Sequence, residues 1–292
     1  HLETEWKQYP VIRLDMSIVK YSDKNSLAES LNKILEPQEK RFNVSPDPNN
    51  HTWGVRMARI IEAAYEQTGQ QVVILVDEYD APIQMAWQHN YETECLDFMR
   101  DFLGSALKTN AELDFSILTG VLRISKESIF SGLNNFKVYS IFSDMYSDIF
   151  GFTSDEIEKM AYDLHIEQKI PEIQKWYDGY SFGCTEIYNP LSVLEYIDEG
   201  CKPNTFWIHT SENAIIRDCI LHMDEENNRK LESLILAESI VCKVDENTTY
   251  RQLYASETTI WMLLVSTGYL KSVRNWLEDE EYLCEQIGRA HV

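Results

Sequence analysis

Two adjacent carboxylates, Asp77 and Glu78, give the strongest chemical signal in the sequence. They follow Val72–Val76, a run of β-favouring apolar residues typical of a strand buried on both faces of a parallel sheet. Such a strand delivers the side chains after it to the carboxyl edge of the sheet, where ligands bind. There a first carboxylate can hold Mg²⁺ through water, and a second can orient and deprotonate an attacking water. An acidic strand end that merely faces solvent is the plainer alternative.

An apolar strand followed by Asp-Glu is also the Walker B pattern of many nucleoside triphosphatases. Thr119 ends the next strand, Phe115–Thr119, where a hydroxyl can sense a γ-phosphate or position water. Arg123 and Lys126 come shortly after it and could neutralise phosphate charge. The structural alternatives stay open: Thr119 could simply close a strand, and the two cations could form ion pairs with the acidic residues that follow Val76.

A second cluster, Trp176–Gly183, contains four aromatic residues and two glycines. Its rings could stack on a nucleotide base, but a packed turn between helices is the favoured interpretation. No G-x-x-x-x-G-K-[ST] loop, which would cradle the β- and γ-phosphates, occurs in the sequence. The cysteines and histidines are scattered, so we expect reduced thiols and no zinc site.

Composition limits the classes of partner. The chain has 292 residues, 26 basic and 48 acidic, and a formal net charge of −22. We therefore expect no nonspecific binding of nucleic acid by this segment, because that binding depends on clustered Lys and Arg. No apolar run approaches the roughly 20 residues of a membrane span, and no signal peptide opens the sequence. We expect no membrane contact and a cytoplasmic location.

The periodicity predicts an α/β region followed by a mainly helical one. Strands are expected at Val11–Met16, at Val72–Val76, at Phe115–Thr119 and, less clearly, at Val138–Ile141. Their alternation with helices predicts βαβ units and a parallel sheet. The first helix is expected to start at a capping box on Ser26 and to stop before Pro37. Beyond Gly151, a capping box at Thr153 and the Asn189-Pro190 pair predict helix starts.

Both ends of the sequence suggest a piece of a longer protein. The chain begins at His1 and enters its first strand almost at once. Residues 286–292, QIGRAHV, look like the translation of a sequencing-library adapter. We therefore expect a fragment cut at both ends, and exclude residues 286–292 from the fold.

Five ordered blocks resemble the AAA-ATPase-like family of bacterial and archaeal proteins. The blocks are VVILVDEYDAPI (72–83), LTGVLRISKESIFSGLNNFKVYS (118–140), WYDGYSFG (176–183), IYNPLSVL (187–194) and the SxGYL pattern within 261–271. The resemblance implies a P-loop ATPase with ATP and Mg²⁺ as ligands, a helical lid, and a C-terminal PD-(D/E)XK nuclease domain in cis. It makes Asp77 the metal-side, cofactor-binding carboxylate and Glu78 the catalytic one, with Thr119 and Arg123 acting as sensors.

On this resemblance, residues 1–150 would be a partial ATPase core from the Walker B strand onward. Residues 151–285 would be a helical lid or winged-helix-like region. The N-terminal strand and the Walker A loop would lie before the chain, and the nuclease after it. We expect the missing N-terminal strand to belong between the Walker B strand and Phe115–Thr119. Its loss would leave a gap in the sheet, and the chain would bind ATP weakly or not at all.

Two further functions are considered beside the ATPase. A non-catalytic regulatory scaffold, which contacts protein partners with or without nucleotide, is compatible with the acidic charge. A stand-alone nuclease has little support, because the Asp and Glu pairs lack the E/D-x-K strand pattern.

Overall fold

The computed structural model describes residues 7–18, 23–45, 52–108, 110–121, 136–206, 214–246, 257–278 and 281–288. Among them, the residues up to Phe136 form one compact unit and those from Lys137 onward form a second. This division falls somewhat earlier in the chain than the change of composition near residue 150.

The first unit is an α/β layer built on a three-stranded parallel sheet. Its elements in chain order are β1 (Val11–Asp15), α1 (Lys24–Arg41), α2 (Trp53–Thr68), β2 (Val72–Asp77), α3 (Ala81–Gln88), α4 (Glu92–Leu107) and β3 (Leu113–Leu118). The sheet order is β1-β2-β3, so β2 is the central strand. The predicted parallel sheet and its three main strands are confirmed.

The expected gap beside the Walker B strand is wrong. β2 and β3 are direct neighbours: Ile74 lies opposite Ser116, and Val76 lies opposite Leu118. The Thr119 amide donates to the Val76 carbonyl at 2.8 Å, and the Tyr79 amide donates to the Thr119 carbonyl at 2.9 Å. These backbone bonds continue the ladder to the end of both strands and leave no room for a strand between them.

The two faces of this sheet differ in burial. Ile12, Leu14, Ile74 and Val76 share one face, on which each is nearly inaccessible to solvent. The opposite face is open along β3, where Phe115 and Ile117 are 45% and 50% exposed, while Val73 of the central strand stays buried there. Side chains alternate between faces along a strand, so this contrast follows directly from the register.

Helix α1 differs from its predicted bounds at both ends. Asp23, not Ser26, is the N-cap: its carboxylate accepts from the Asn25 and Ser26 amides, and Ser26 completes the capping box from within the helix. Pro37 lies inside the helix, which continues to Arg41. The Arg41 guanidinium donates to the Val11 carbonyl at 2.8 Å, and such contacts with β1 offset the local cost of the proline.

The second unit combines helices with two antiparallel sheets. Its elements are β4 (Phe152–Thr153), α5 (Ser154–Asp163), a 3₁₀ turn (Glu167–Lys169), α6 (Ile170–Tyr177), β5 (Asp178–Phe182), β6 (Thr185–Tyr188), α7 (Pro190–Asp198), α8 (Ala214–Leu221), α9 (Glu225–Ile235), β7 (Ser239–Lys243), α10 (Glu257–Ser266), β8 (Leu270–Glu278) and β9 (Glu281–Gly288). The sheet orders are β4-β6-β5 and β7-β9-β8. The prediction of a mainly helical region missed these six strands.

Local signals in this unit had mixed outcomes. The capping box at Thr153 and the cap at Asn189 are confirmed as the N-termini of α5 and α7. Residues 138–141 are not a strand: Val138 and Tyr139 are exposed and belong to a loop. Gln286–Gly288, which the adapter-like pattern had excluded from the fold, pair with β7 and β8 as the end of β9.

Candidate functional site

The register of the parallel sheet brings three polar residues into one row at its carboxyl edge. Asp15 at the end of β1 is the partner of Asp77 at the end of β2. Thr119 follows Leu118, the last residue of β3, and its hydroxyl donates to Asp77 Oδ1 at 2.5 Å. The order across the sheet is therefore acid, acid, hydroxyl. The sequence had predicted two of these three residues, and the register adds Asp15.

Asp15 is held in place by its own turn. Its Oδ1 accepts from the Ser17 amide at 3.0 Å and from the Ser17 hydroxyl at 2.6 Å. The Met16 amide donates to the Asp77 carbonyl at 3.0 Å, which keeps the ends of β1 and β2 together. Local side-chain to backbone bonds of this kind fix the direction of a carboxylate after a strand.

Glu78 has an unusual backbone and a perturbed carboxyl group. Its φ is +50°, in the left-handed region that costs a non-glycine residue about 1–3 kcal/mol and is often found at functional sites. Its side chain is exposed, yet partial burial of the carboxyl group, followed by the charges of Asp77 and then Asp15, raises its pKa. A carboxylate with a raised pKa is a better proton acceptor than an isolated glutamate.

Asp80, which the sequence offered only as an ion-pair partner for Arg123 or Lys126, organises the loop behind the site. It is only 2% exposed, and its Oδ2 accepts from the Val121 amide at 3.1 Å, joining the loop after β2 to the loop after β3. A Cβ placed on Gly120 would lie 2.5 Å from Asp80 Oδ1 and 2.8 Å from the Tyr79 ring. Position 120 therefore requires glycine, and the acidic D-E-Y-D spacing gave no hint of this packing.

The remaining predicted cations lie outside the described residues. Arg123 and Lys126 both fall within 122–130, so their proposed contacts with phosphate or with the acidic residues stay predictions.

The donor set suits a hydrated divalent cation better than a fully liganded one. Among the described residues, no group of three His, Cys, Asp or Glu side chains converges to hold a metal ion. Asp77 and Thr119 offer hard oxygen atoms, and Asp77 is exposed to water. Mg²⁺ commonly keeps several waters and takes one or two carboxylates together with substrate phosphates. These residues fit Mg²⁺ bound partly through water, and they do not form a closed protein cage.

The aromatic cluster at 176–183 forms neither a helix–helix turn nor an open platform. It runs from the end of α6 through β5. Tyr177 is buried, and a Cβ on Gly268 would lie 2.3 Å from the Tyr180 hydroxyl oxygen. Lys271 bonds Asp178 at 2.9 Å. Tyr177 thus belongs to a buried core, and Asp178 and Tyr180 contact Lys271 and Gly268, so packing accounts for these three residues without a ligand.

Comparison with known proteins shows what the chain is similar to. Residues 1–130 match the model of the AAA-ATPase-like family, described as "Predicted AAA-ATPase". The chain is also 27% identical over 222 residues to a protein of Azotobacter chroococcum mcd 1, described as an uncharacterized protein in the vnfD 5′ region. That alignment covers 75% of this chain but only 42% of the relative, so the chain spans about two fifths of the relative's length. No solved structure matches the chain.

Within the described part of the chain, no helix has both the length and the apolar character that crossing a bilayer would require.

Proposed function

We propose that the carboxyl edge of β1-β2-β3 is part of the ATP-hydrolysing site of a P-loop-type nucleoside triphosphatase. The observation that carries the proposal is the Asp77–Thr119 hydrogen bond at the end of two neighbouring parallel strands, with Glu78 directly beside it. The match of residues 1–130 to a predicted AAA-ATPase family supports the same class.

In this site each residue has a separate task. Asp77 holds the water shell of Mg²⁺, and Thr119 fixes the direction of that carboxylate through its hydroxyl bond. Bound Mg²⁺ supplies neutralisation of phosphate charge. Glu78 orients the attacking water and accepts its proton, which its raised pKa favours. Arg123 supplies a cation near the transferred phosphate, as the resemblance implies.

We further propose that the chain is a fragment of a longer ATPase. The relative is much longer than the aligned part, which leaves room for other segments. A Walker A loop upstream of His1 would hold the β- and γ-phosphates, and residues 151–285 would act as a lid. ATP hydrolysis would be coupled to a downstream PD-(D/E)XK nuclease domain or to a signalling partner. The 292-residue chain alone would then bind ATP weakly or not at all.

The direct test uses the longer gene product that contains this chain. Its coding sequence should carry a G-x-x-x-x-G-K-[ST] loop within about 50 residues upstream of His1, since βα loops in such sheets are short. The purified protein should hydrolyse ATP, and Asp77→Asn should raise the Mg²⁺ concentration needed for half-maximal rate at least tenfold. Glu66→Gln removes an exposed charge on α2 and should leave that concentration unchanged.

Two results would oppose the proposal. An intact upstream sequence with a degraded phosphate loop would favour the regulatory scaffold. An ATPase whose Mg²⁺ dependence is identical in the wild type and in Asp77→Asn would exclude Asp77 as the metal-side carboxylate.

A further inference from the structure

Two cysteines of the second unit lie directly opposite each other in the sheet β7-β9-β8. Cys242 on β7 is the register partner of Cys284 on β9 in an antiparallel pair. Directly opposed residues project their side chains from the same face of the sheet. Both thiols are therefore on the buried face, where Cys242 is 2% and Cys284 0% exposed.

The backbone spacing of such a pair fits a disulfide. Opposed residues of antiparallel strands have Cα atoms about 4.5 or 5.5 Å apart, depending on whether they share hydrogen bonds. Disulfides span Cα distances of about 4.4–6.8 Å, so either geometry is accepted without moving the strands. Cys284 Sγ now contacts Ser272 Oγ on β8 at 3.0 Å, and a rotation about its Cα–Cβ bond would turn the sulfur from Ser272 toward Cys242.

The position of β7 controls access to the pair. Within the described sheet, β7 is an edge strand whose neighbour is β9 alone. Its residues alternate between buried and exposed, with Val241 and Lys243 facing solvent on either side of Cys242. Local opening of an edge strand is the least costly way to expose a buried group. The pair would therefore react slowly, and a disulfide formed there would be shielded from reductants once the strand closes.

We propose that Cys242 and Cys284 form a redox modification site that closes into a cross-strand disulfide by exchange with a low-molecular-weight disulfide, RSSR. In the first step the Cys242 thiol loses its proton to solvent, its sulfur attacks one sulfur of RSSR, the S–S bond breaks and RS⁻ leaves. In the second step the Cys284 thiol loses its proton to solvent, its sulfur attacks the Cys242 sulfur of the mixed disulfide, and the second RS⁻ leaves. Each RS⁻ takes up a proton from solvent. Two electrons pass from the protein thiols to RSSR, which is released as two RSH.

The bond would connect β7 to β9 and enclose α10 and β8 in a covalent loop. Because all of these elements belong to the second unit, the proposal is independent of the proposed nucleotide site. The expected physical effect is a higher melting temperature of this unit in the oxidised form, which thiol reductant reverses.

The test incubates the reduced 292-residue protein with oxidised glutathione, alkylates the remaining thiols and digests with trypsin without reduction. Trypsin cleaves after Lys243, Lys271 and Arg274, which lie between the two cysteines, so Cys242 and Cys284 are released on different peptides. Mass spectrometry should find these peptides joined, about 2 Da lighter than their sum because two hydrogens are lost. The joined species should disappear after dithiothreitol, and in Cys242→Ser and Cys284→Ser, but persist in Cys219→Ser, which removes another buried thiol.

The wild-type peptide map is decisive even if a variant does not fold. Recovery of both peptides alkylated after prolonged exposure to oxidised glutathione would overturn the proposal. So would recovery of both as glutathione adducts, or joined to other cysteines instead of to each other. Sub-denaturing urea should accelerate formation of the Cys242–Cys284 bond, and a rate independent of urea would show that opening of β7 does not control it.

Discussion

Gly120→Ala tests the packing behind the candidate site. Its new Cβ would lie 2.5 Å from Asp80 Oδ1 and 2.8 Å from the Tyr79 ring, and both side chains are buried. The Asp80 carboxylate could move away only by giving up the bond that it accepts from the Val121 amide at 3.1 Å, and the Tyr79 ring is packed in the core, with the residue only 7% exposed. Overpacking of this kind costs about 1–3 kcal/mol. The substitution should destabilise the first unit by that amount.

Gly104→Ala is the matched control. Gly104 lies in α4, and a Cβ there meets nothing within 4 Å. Replacing an unhindered helical glycine by alanine should stabilise the same unit by about 0.5–1 kcal/mol. The two variants make the same chemical change and are expected to have effects of opposite sign.

Hydrogen exchange measured by mass spectrometry separates the two variants without requiring whole-chain unfolding to be two-state. Peptides that cover β2 and β3 should exchange about 5- to 150-fold faster in Gly120→Ala, the equivalent of 1–3 kcal/mol. In Gly104→Ala, peptides of α4 should exchange more slowly. Equal protection of β2 and β3 in Gly120→Ala and wild type would refute the close approach of Gly120 to Asp80.

Three further outcomes are expected. Glu78→Gly should slow hydrogen exchange of β2 by the equivalent of about 1 kcal/mol, because glycine adopts the left-handed backbone conformation without strain. An unchanged or faster exchange rate would contradict the φ of +50° at this position. At pH 8 a maleimide should label exposed Cys184 rapidly and buried Cys95 only on unfolding. Burial, followed by the charge of Glu92, raises the pKa of the Cys95 thiol to about 12 and keeps it protonated. Equal labelling rates for the two cysteines would contradict this. Lys271→Met should destabilise the second unit by about 1–3 kcal/mol, since it leaves half-buried Asp178 without its cation. Hydrogen exchange of β5 measures this loss of stability. The double variant Lys271→Met, Asp178→Asn should regain part of the lost stability.

The central strand and its acidic end could be predicted because one short segment contains all the information. Val72–Val76 is apolar at every position, which few structures other than a buried parallel strand explain, and Asp77 follows it directly. The pairing of Asp77 with Thr119 follows once the strands run parallel and in register. Asp15 was missed because it is the last residue of β1, a strand that alternates apolar and polar residues and therefore does not single out its acidic end.

The missed features depend on contacts between distant residues. Pro37 stays inside α1 because Gln38 and Arg41 bond carbonyls of β1, which no local propensity reports. Four strands of the second unit, β4 to β7, have only two to five residues. β7 also pairs with a distant part of the chain, as Ser239 does with Ile287. The tight space at Gly120 arises where the loop after β3 meets Tyr79 and Asp80, so it could not be read from the motif itself. The positive φ of Glu78 carries no sequence signal either, since the residue is not glycine.

The most direct test of the proposed ATPase site is single-turnover ATP hydrolysis by the full-length protein and its Glu78→Gln variant, with nucleotide binding measured on the same samples. If Glu78 activates the attacking water, Glu78→Gln should bind ATP as the wild type does but hydrolyse it at least about 100-fold more slowly. The control Glu66→Gln should hydrolyse ATP at the wild-type rate. Equal hydrolysis rates for the wild type and Glu78→Gln would contradict the proposed role of this sheet edge.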